Sequence, residues 1–283
     1  MNNSLYIAAT GMQAQQLGLD AIANNLTNLN TPGFKSSIVN FQELMYSGTS
    51  GAHAVDGASH LQRVNRSVGG HVAGAANPIE ASDSQDAFFG AGVAVGSTTK
   101  DFTTGTLTQT NSQLDLAIQG NGFIEVVMPD GSLGYTRGGT LSVSKDNFLL
   151  SPQGYELKPS IRIPANVSGL TISATGQVSV TTGTSSVATQ VGQIELASFS
   201  NPGALTPLGN GLYVPADAAG RVTYGKPGDS NTGTLSQGFI EGSNVNMVSQ
   251  MVNLMVAQRA YELSAKVVQT SDELMSMTNN LRR

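Results

Sequence analysis

Apolar residues recur at alternating steps of three and four positions at both ends of the chain. In the middle they alternate with polar residues at every second position. At the N-terminal end Leu5, Met12, Leu19, Ile22, Leu26 and Leu29 keep the longer rhythm, with Ala8 and Gln15 in the gaps. That is the seam of a helix that pairs with another helix. It predicts a helix over residues 4–30, about 40 Å long at a rise of about 1.5 Å per residue. Asn2 or Asn3 is the candidate cap, and Thr31-Pro32-Gly33 should stop it. At the other end Val256, Ala260, Leu263, Val267, Thr270, Leu274, Met277 and Leu281 repeat the rhythm. A second stripe of Val248, Met251, Val252 and Met255 widens the apolar face near the start. This predicts a helix over residues 246–280, roughly 50 Å long. Asn246 is its candidate N-cap, with Ser249 rather than Glu or Gln at the third helical position, so the capping box is incomplete.

Between the helices, residues 123–128 and 133–137 flank Pro129-Asp130-Gly131 and read as a hairpin. Residues 140–144 and 148–150 flank Lys145-Asp146-Asn147, and residues 170–174 and 177–181 flank Thr175-Gly176. Further strands are expected at 191–199 and 212–214. Short strands at such intervals predict a small barrel or sandwich. Residues 47–87 are rich in Gly, Ala, Ser and Asn with weak periodicity. So long a stretch without elements reads as an extended arm. The expected fold is therefore α+β. Residues 1–46 with 244–283 form a terminal helical, coiled-coil assembly domain, and residues 47–89 the arm. Residues 90–114 with 216–243 form a connecting β region, and residues 115–215 a β-rich outer domain.

Composition sharpens this picture. Only 12% of residues are charged, about half the usual ~25%. The first helix carries a single charged side chain, Asp20, where a solvated helix would show a charged face. Its other faces are Gln, Asn, Thr, Ala and Gly, which suits contact on several sides. An intramolecular hairpin of the two helices is the simpler reading, but two helices make one seam, and packing among several chains accounts better for the composition. A net charge of −5 speaks against nucleic acid as a partner. Absence of Cys excludes disulfides, a thiol nucleophile and cysteine zinc sites. No stretch is apolar and long enough for membrane insertion, and the first thirty residues lack the Lys or Arg of a secretory signal.

Nothing in the chain resolves into catalytic or cofactor chemistry. His53, His60 and His71 all lie in the arm without ligand spacing. Gly90, Gly92 and Gly96 miss the dinucleotide fingerprint and Lys100 is misplaced for a phosphate loop, so turns and tight packing are the better reading. Neither G-x-S-x-G nor H-E-x-x-H occurs. Asp115 and Glu125 are conceivable as an acid/base pair, but isolated strand carboxylates usually face solvent. Gln258, Arg259, Ala260, Tyr261 and Glu262 read as a polar segment making salt bridges between helices. No catalytic residue, metal site or cofactor is expected.

Two stretches carry a family likeness. Asn24-Asn25-Leu26-x-Asn28-x-x-Thr31-Pro32-Gly33-Phe34-Lys35 resembles the N-terminal signature of bacterial flagellar rod and hook proteins. Ser243-Asn244-Val245-Asn246, with Gln258-Arg259-Ala260-Tyr261-Glu262 further on, resembles their C-terminal signature. Residues 117–124 and Tyr135-Thr136-Arg137-Gly138-Gly139 are similar to the family's central β motifs. The length leaves no room for the further outer domain of a hook protein. Phe41-Gln42-Glu43-Leu44-Met45-Tyr46 before a long arm, and Ile163-Pro164-Ala165-Asn166, resemble the distal-rod arrangement.

The resemblance implies a subunit of a helical tube that transmits torque from motor to hook. Its terminal helices would line a central export channel, with the β domain outside. It implies as partners further copies of itself, proximal rod proteins, the hook protein, and peptidoglycan and outer-membrane ring proteins. It also implies unfolded export by the flagellar type III apparatus without a cleaved signal peptide, and a place in the basal body crossing the periplasm to the outer membrane. The alternatives are a proximal rod protein, or a secreted β-domain binding module or adhesin.

Overall fold

The computed structural model describes residues 2–44, 47–48, 88–90, 92–183 and 185–281. Two helices stand at the ends of the chain with β structure between them, an α+β arrangement. The first, α1, covers Asn2–Thr27 and the second, α2, Met247–Asn280. The two helices lie against each other.

Helix α1 ends three residues before the expected stop. Asn28 Nδ2 donates to the Asn24 carbonyl at 2.9 Å and so competes with the helix for its last acceptors. Pro32 cannot extend a helix, and Gly33 turns the chain away at φ +69°, a conformation that side chains with a Cβ resist. Helix α2 begins where expected: the Asn246 side chain accepts the Ser249 N–H at 3.0 Å, satisfying one of the orphan donors of the first turn.

Directly after α1 the chain forms a ribbon, with Ser37–Glu43 antiparallel to Val93–Lys100 and a bulge between Asn40 and Phe41. The ribbon packs on α1. The Phe41 ring approaches Gly18, and a Cβ at Gly92 (φ +110°) would collide with Thr10 Oγ1. Periodicity alone did not announce this ribbon. Ser47–Gly48 pairs with Phe88–Phe89, bringing the two ends of the intervening segment together. The predicted arm and its three histidines otherwise lie outside the described residues.

Among the described residues the largest sheet has nine strands, built around the hairpin of Phe123–Val127 and Leu133–Thr136. The expected strand over 140–144 is split into Gly138–Thr140 and Ser142–Val143, and that over 191–199 into Ser185–Gln193 and Leu196–Phe199. Val167–Ile172, Gln177–Thr182 and Ser185–Gln193 form a three-stranded meander. Asp115–Gln119 lies between Thr234–Gln237 and Gly138–Thr140, and Phe239–Glu241 pairs with Leu107–Gln109.

Two cores hold this region. One is aliphatic, gathering Leu116, Ile118, Ile124, Leu149, Ile194 and Leu196 with their neighbours. The other is aromatic. Phe123 meets Phe102 edge-to-face at 5.1 Å and Phe199 at 5.5 Å, and Tyr135 meets Phe199 at 4.9 Å. Phe102 comes from the segment that follows the ribbon, so the aromatic core also anchors the base of the helical pair.

Candidate functional site

Helix α2 carries two parallel stripes, each on a 3–4 spacing. Leu254, Ala257, Ser264, Val268, Ser271 and Met275 are buried or half-buried. A Cβ built on Gly11 of α1 would lie 3.7 Å from Ser264 Oγ, which identifies this stripe as the one facing α1. Small residues at 257, 264 and 271 let the helices approach closely. The stripe singled out by the apolar rhythm lies elsewhere. Val256, Leu263, Val267, Leu274, Met277 and Leu281 are exposed, Leu263 at 65% and Leu281 at 88%, while Ala260 is half-buried. Most of them precede a covered residue by one position, so their stripe lies about 100° round the helix at 3.6 residues per turn. Val248, Met251, Val252 and Met255 extend the exposed apolar surface.

On α1 the seam residues Leu5, Met12, Leu19, Ile22, Leu26 and Leu29 are all half-buried, and Ala8 and Ala14 are buried. Tyr6, Ile7 and Leu17 are exposed. Single exposed apolar residues are ordinary, but a continuous apolar stripe along a 34-residue helix is not.

The signature residues at 24–35 and 243–246 converge at the base of the helical pair, whereas Gln258 to Glu262 lie further along α2. Asn25, buried, clasps the start of the ribbon: its Nδ2 donates to the Ser37 carbonyl at 2.9 Å, and its Oδ1 accepts the Ser37 N–H at 2.8 Å. Asn24 stacks beneath Asn28, whose Oδ1 accepts from Thr31 Oγ1. Asn244 Oδ1 accepts the Ser36 N–H at 2.8 Å, and its Nδ2 donates to the Asp101 carbonyl at 2.8 Å. Ser243 Oγ accepts the Val245 N–H, and the Val245 side chain is buried. Gly33 N–H donates to the Glu241 carbonyl at 2.7 Å, while Thr31 and Pro32 stay exposed and Phe34 is half-buried.

At the centre of this junction sits a buried charge cluster. Lys35 is completely covered; its Nζ donates to Glu241 Oε1 at 2.7 Å and to the Thr103 carbonyl at 2.6 Å. Arg137 reaches the same carboxylate at 3.3 Å through Nε and donates twice more to the carbonyls of Gly120 and Gly122, each at 2.9 Å. The Gly105 N–H completes the set at 3.0 Å from Glu241 Oε1. Burial pulls Lys35 below the usual lysine range, against the opposing pull of Glu241. Burial also pushes the nearby Tyr213 hydroxyl up to about 12. Lys100, at the end of the ribbon, donates to the Lys35 carbonyl and Ser37 Oγ and lies 4.8 Å from the Phe34 ring centre. Its place is structural, like those of Gly92 and Gly96.

The two strand carboxylates differ from expectation, because both are buried. Asp115 accepts from Thr110 Oγ1, and Glu125 accepts from Tyr224 at 2.8 Å and pairs with Lys158 at 3.4 Å. They share no partner among the described residues. Gln258, Arg259, Tyr261 and Glu262 are exposed, and among the described residues the ion pairs involve Glu241 and Glu125 instead. Among the described residues no group of three or more His, Asp or Glu is placed to hold a metal ion.

Sequence reasoning missed Glu241 as the centre of the cluster, because a lone acid at the end of a short strand gives no local signal. The small-residue stripe of α2 was legible in spacing, but larger neighbours obscured it.

Three family descriptions match the chain in the regions that build this junction and the helices. "Flagella basal body rod protein" matches residues 5–35, "Flagellar hook protein FlgE/F/G D1 domain" residues 117–180, and "Flagellar basal body rod FlgEFG protein C-terminal" residues 236–281. Flagellar basal-body rod protein FlgG of Borreliella burgdorferi is 37% identical over 100% of both chains. The FlgG proteins of Caulobacter vibrioides and Agrobacterium fabrum are 38% and 37% identical over 99% and 98% of each chain. With likeness of this depth along its whole length, the chain belongs to the family of flagellar basal-body rod and hook proteins.

Proposed function

We propose that this chain is a structural subunit of the flagellar distal rod, a helical tube that carries torque from motor to hook. The observation that carries the reading is the uncovered apolar stripe of α2, in a chain alike from end to end to proteins named FlgG. Each chain satisfies one face of α2 with its own α1 and offers the other to a neighbouring copy. Contact between unlike faces generates a helical array wherever its rotation does not close into a ring, as the rod reading requires. The coiled-coil inner layer is formed by both helices, Leu5 to Leu29 and Val256 to Leu281, around an export channel, with the β-rich middle outside. Proximal rod proteins, the hook protein, the ring proteins and the type III export apparatus are its expected partners in the basal body. The adhesin and proximal-rod readings are not favoured, since the relatives matched end to end at 37–38% are FlgG proteins.

Hydrogen exchange on the dilute chain and on assembled material tests this. The outer stripe's backbone, around 255–281, should gain protection on assembly. Identical protection in both states would refute the reading.

A further inference from the structure

We propose that the Glu241 carboxylate is a locking pin that fixes the angle between the helical pair and the β-rich middle, and that its charge is what holds it. The proposal concerns the single chain and goes beyond the rod reading without depending on it.

Two buried cations converge on this one carboxylate, Lys35 at Oε1 and Arg137 at Oε2 through Nε and at Oε1 through Nη2. Lys35, Thr103 and Asn244 belong to the base of the helical pair and are tied to one another through Thr103, whose carbonyl accepts from Lys35 and whose hydroxyl accepts from Asn244, while the Gly105 N–H donates to Glu241 itself. Arg137 belongs to the β-rich middle, held there by the carbonyls of Gly120 and Gly122 and by the face of Phe123, 5.7 Å away. Each cation therefore has partners on its own side, and Glu241 is the charged link across.

Removing the negative charge leaves two buried cations with only a neutral group between them, a costly state in a low-dielectric setting. Both can keep their own-side partners if the two bodies separate at this point. Phe102, lodged between Phe123 and Tyr213 at 5.1 and 5.0 Å, remains as the pivot. The same cluster built from apolar side chains would bury more cheaply but would not select one angle, which is the best-attested use of a buried ionic group.

The chain has no cysteine, so pairs of spin labels can be placed at will. With labels at Gln269→Cys on α2 and Thr171→Cys on the β-rich middle, double electron–electron resonance on the full chain reads the angle. Glu241→Gln should at least double the width of the distance distribution. Glu241→Asp, which keeps the charge, should restore most of the narrowness. Arg137→Met cuts the same link from the other side and leaves Lys35 and Glu241 as an even pair. It should also broaden the distribution, and it serves if Glu241→Gln fails to fold. Widths unchanged in the variants that fold, or equal broadening by Glu241→Gln and Glu241→Asp, would overturn the proposal.

Discussion

Truncating the outer stripe of α2 should separate assembly from folding. In the lone chain Leu263 is 65% exposed and Leu274 55% exposed, so neither contributes much to the stability of the dilute chain. Leu→Ala removes three carbons, worth about 2.4 kcal/mol at ~0.8 kcal/mol for each one fully buried. The exposed share of Leu263, the part gained only when a neighbour covers it, then comes to about 1.5 kcal/mol, and that of Leu274 to about 1.3 kcal/mol. Each substitution should raise the critical concentration for polymerisation about tenfold, and the pair, well separated on the helix, about a hundredfold. The unfolding midpoint of the dilute chain should hardly change. The opposite pattern is expected for Ser264→Leu, which crowds Gly11 of α1 and should destabilise the dilute chain by about 1–3 kcal/mol. Sedimentation of assembled material and thermal unfolding below the critical concentration read the two quantities. A Leu263→Ala/Leu274→Ala chain that unfolds early yet polymerises at the normal threshold would refute the division of α2 into two stripes.

Other consequences are as direct. Asn246→Ala removes the cap of α2 and should cost about 1 kcal/mol in urea unfolding. Gly92→Ala forces a strained φ and a collision with Thr10, and should lower stability by about 1–3 kcal/mol in the same assay. Alkaline titration should show two slopes. Lys35 releases its proton more readily folded than unfolded, so its contribution to stability rises with pH up to the ordinary lysine range near 10.5. Tyr213 holds its proton longer when folded, so its contribution, up to about 3 kcal/mol, is complete below pH 10 and lost as pH climbs through about 12. Lys35→Met should reduce the first slope and Tyr213→Phe the second, the remainder coming from Lys100 on one side and from Tyr135 and Tyr224 on the other. Unaltered slopes would mean that other groups set the alkaline profile.

The helices were legible because their rhythm extends over many turns and Asn246 caps the start of α2, whereas Pro32-Gly33 set only an outer limit to α1, which Asn28 ends sooner. The hairpin at 123–137 was legible because Pro129-Asp130-Gly131 interrupts two alternating runs. The ribbon of Ser37–Glu43 and Val93–Lys100 was not, since its partners lie far apart in sequence and Phe41 and Ile38 remain exposed, which blurs the alternation. Of the signature residues, Asn25, Lys35 and Asn244 proved to be clasps joining remote segments, a role that no local pattern reports. Asp115 and Glu125 were expected to face solvent, but the Thr110 hydroxyl on one oxygen of Asp115, and the Tyr224 hydroxyl with Lys158 on Glu125, offset part of the cost of burying them.

Lys35 and Glu241 are separated by 206 positions along the chain. A contact of that span carries a loop-closure cost that local contacts do not, and it needs both ends of the chain to be present. The junction therefore times as well as joins. A chain threaded through a narrow passage from either end would present its first signature long before the second, and the cluster would stay open throughout the transit. Completion of the fold would thereby wait until both ends of the chain had emerged.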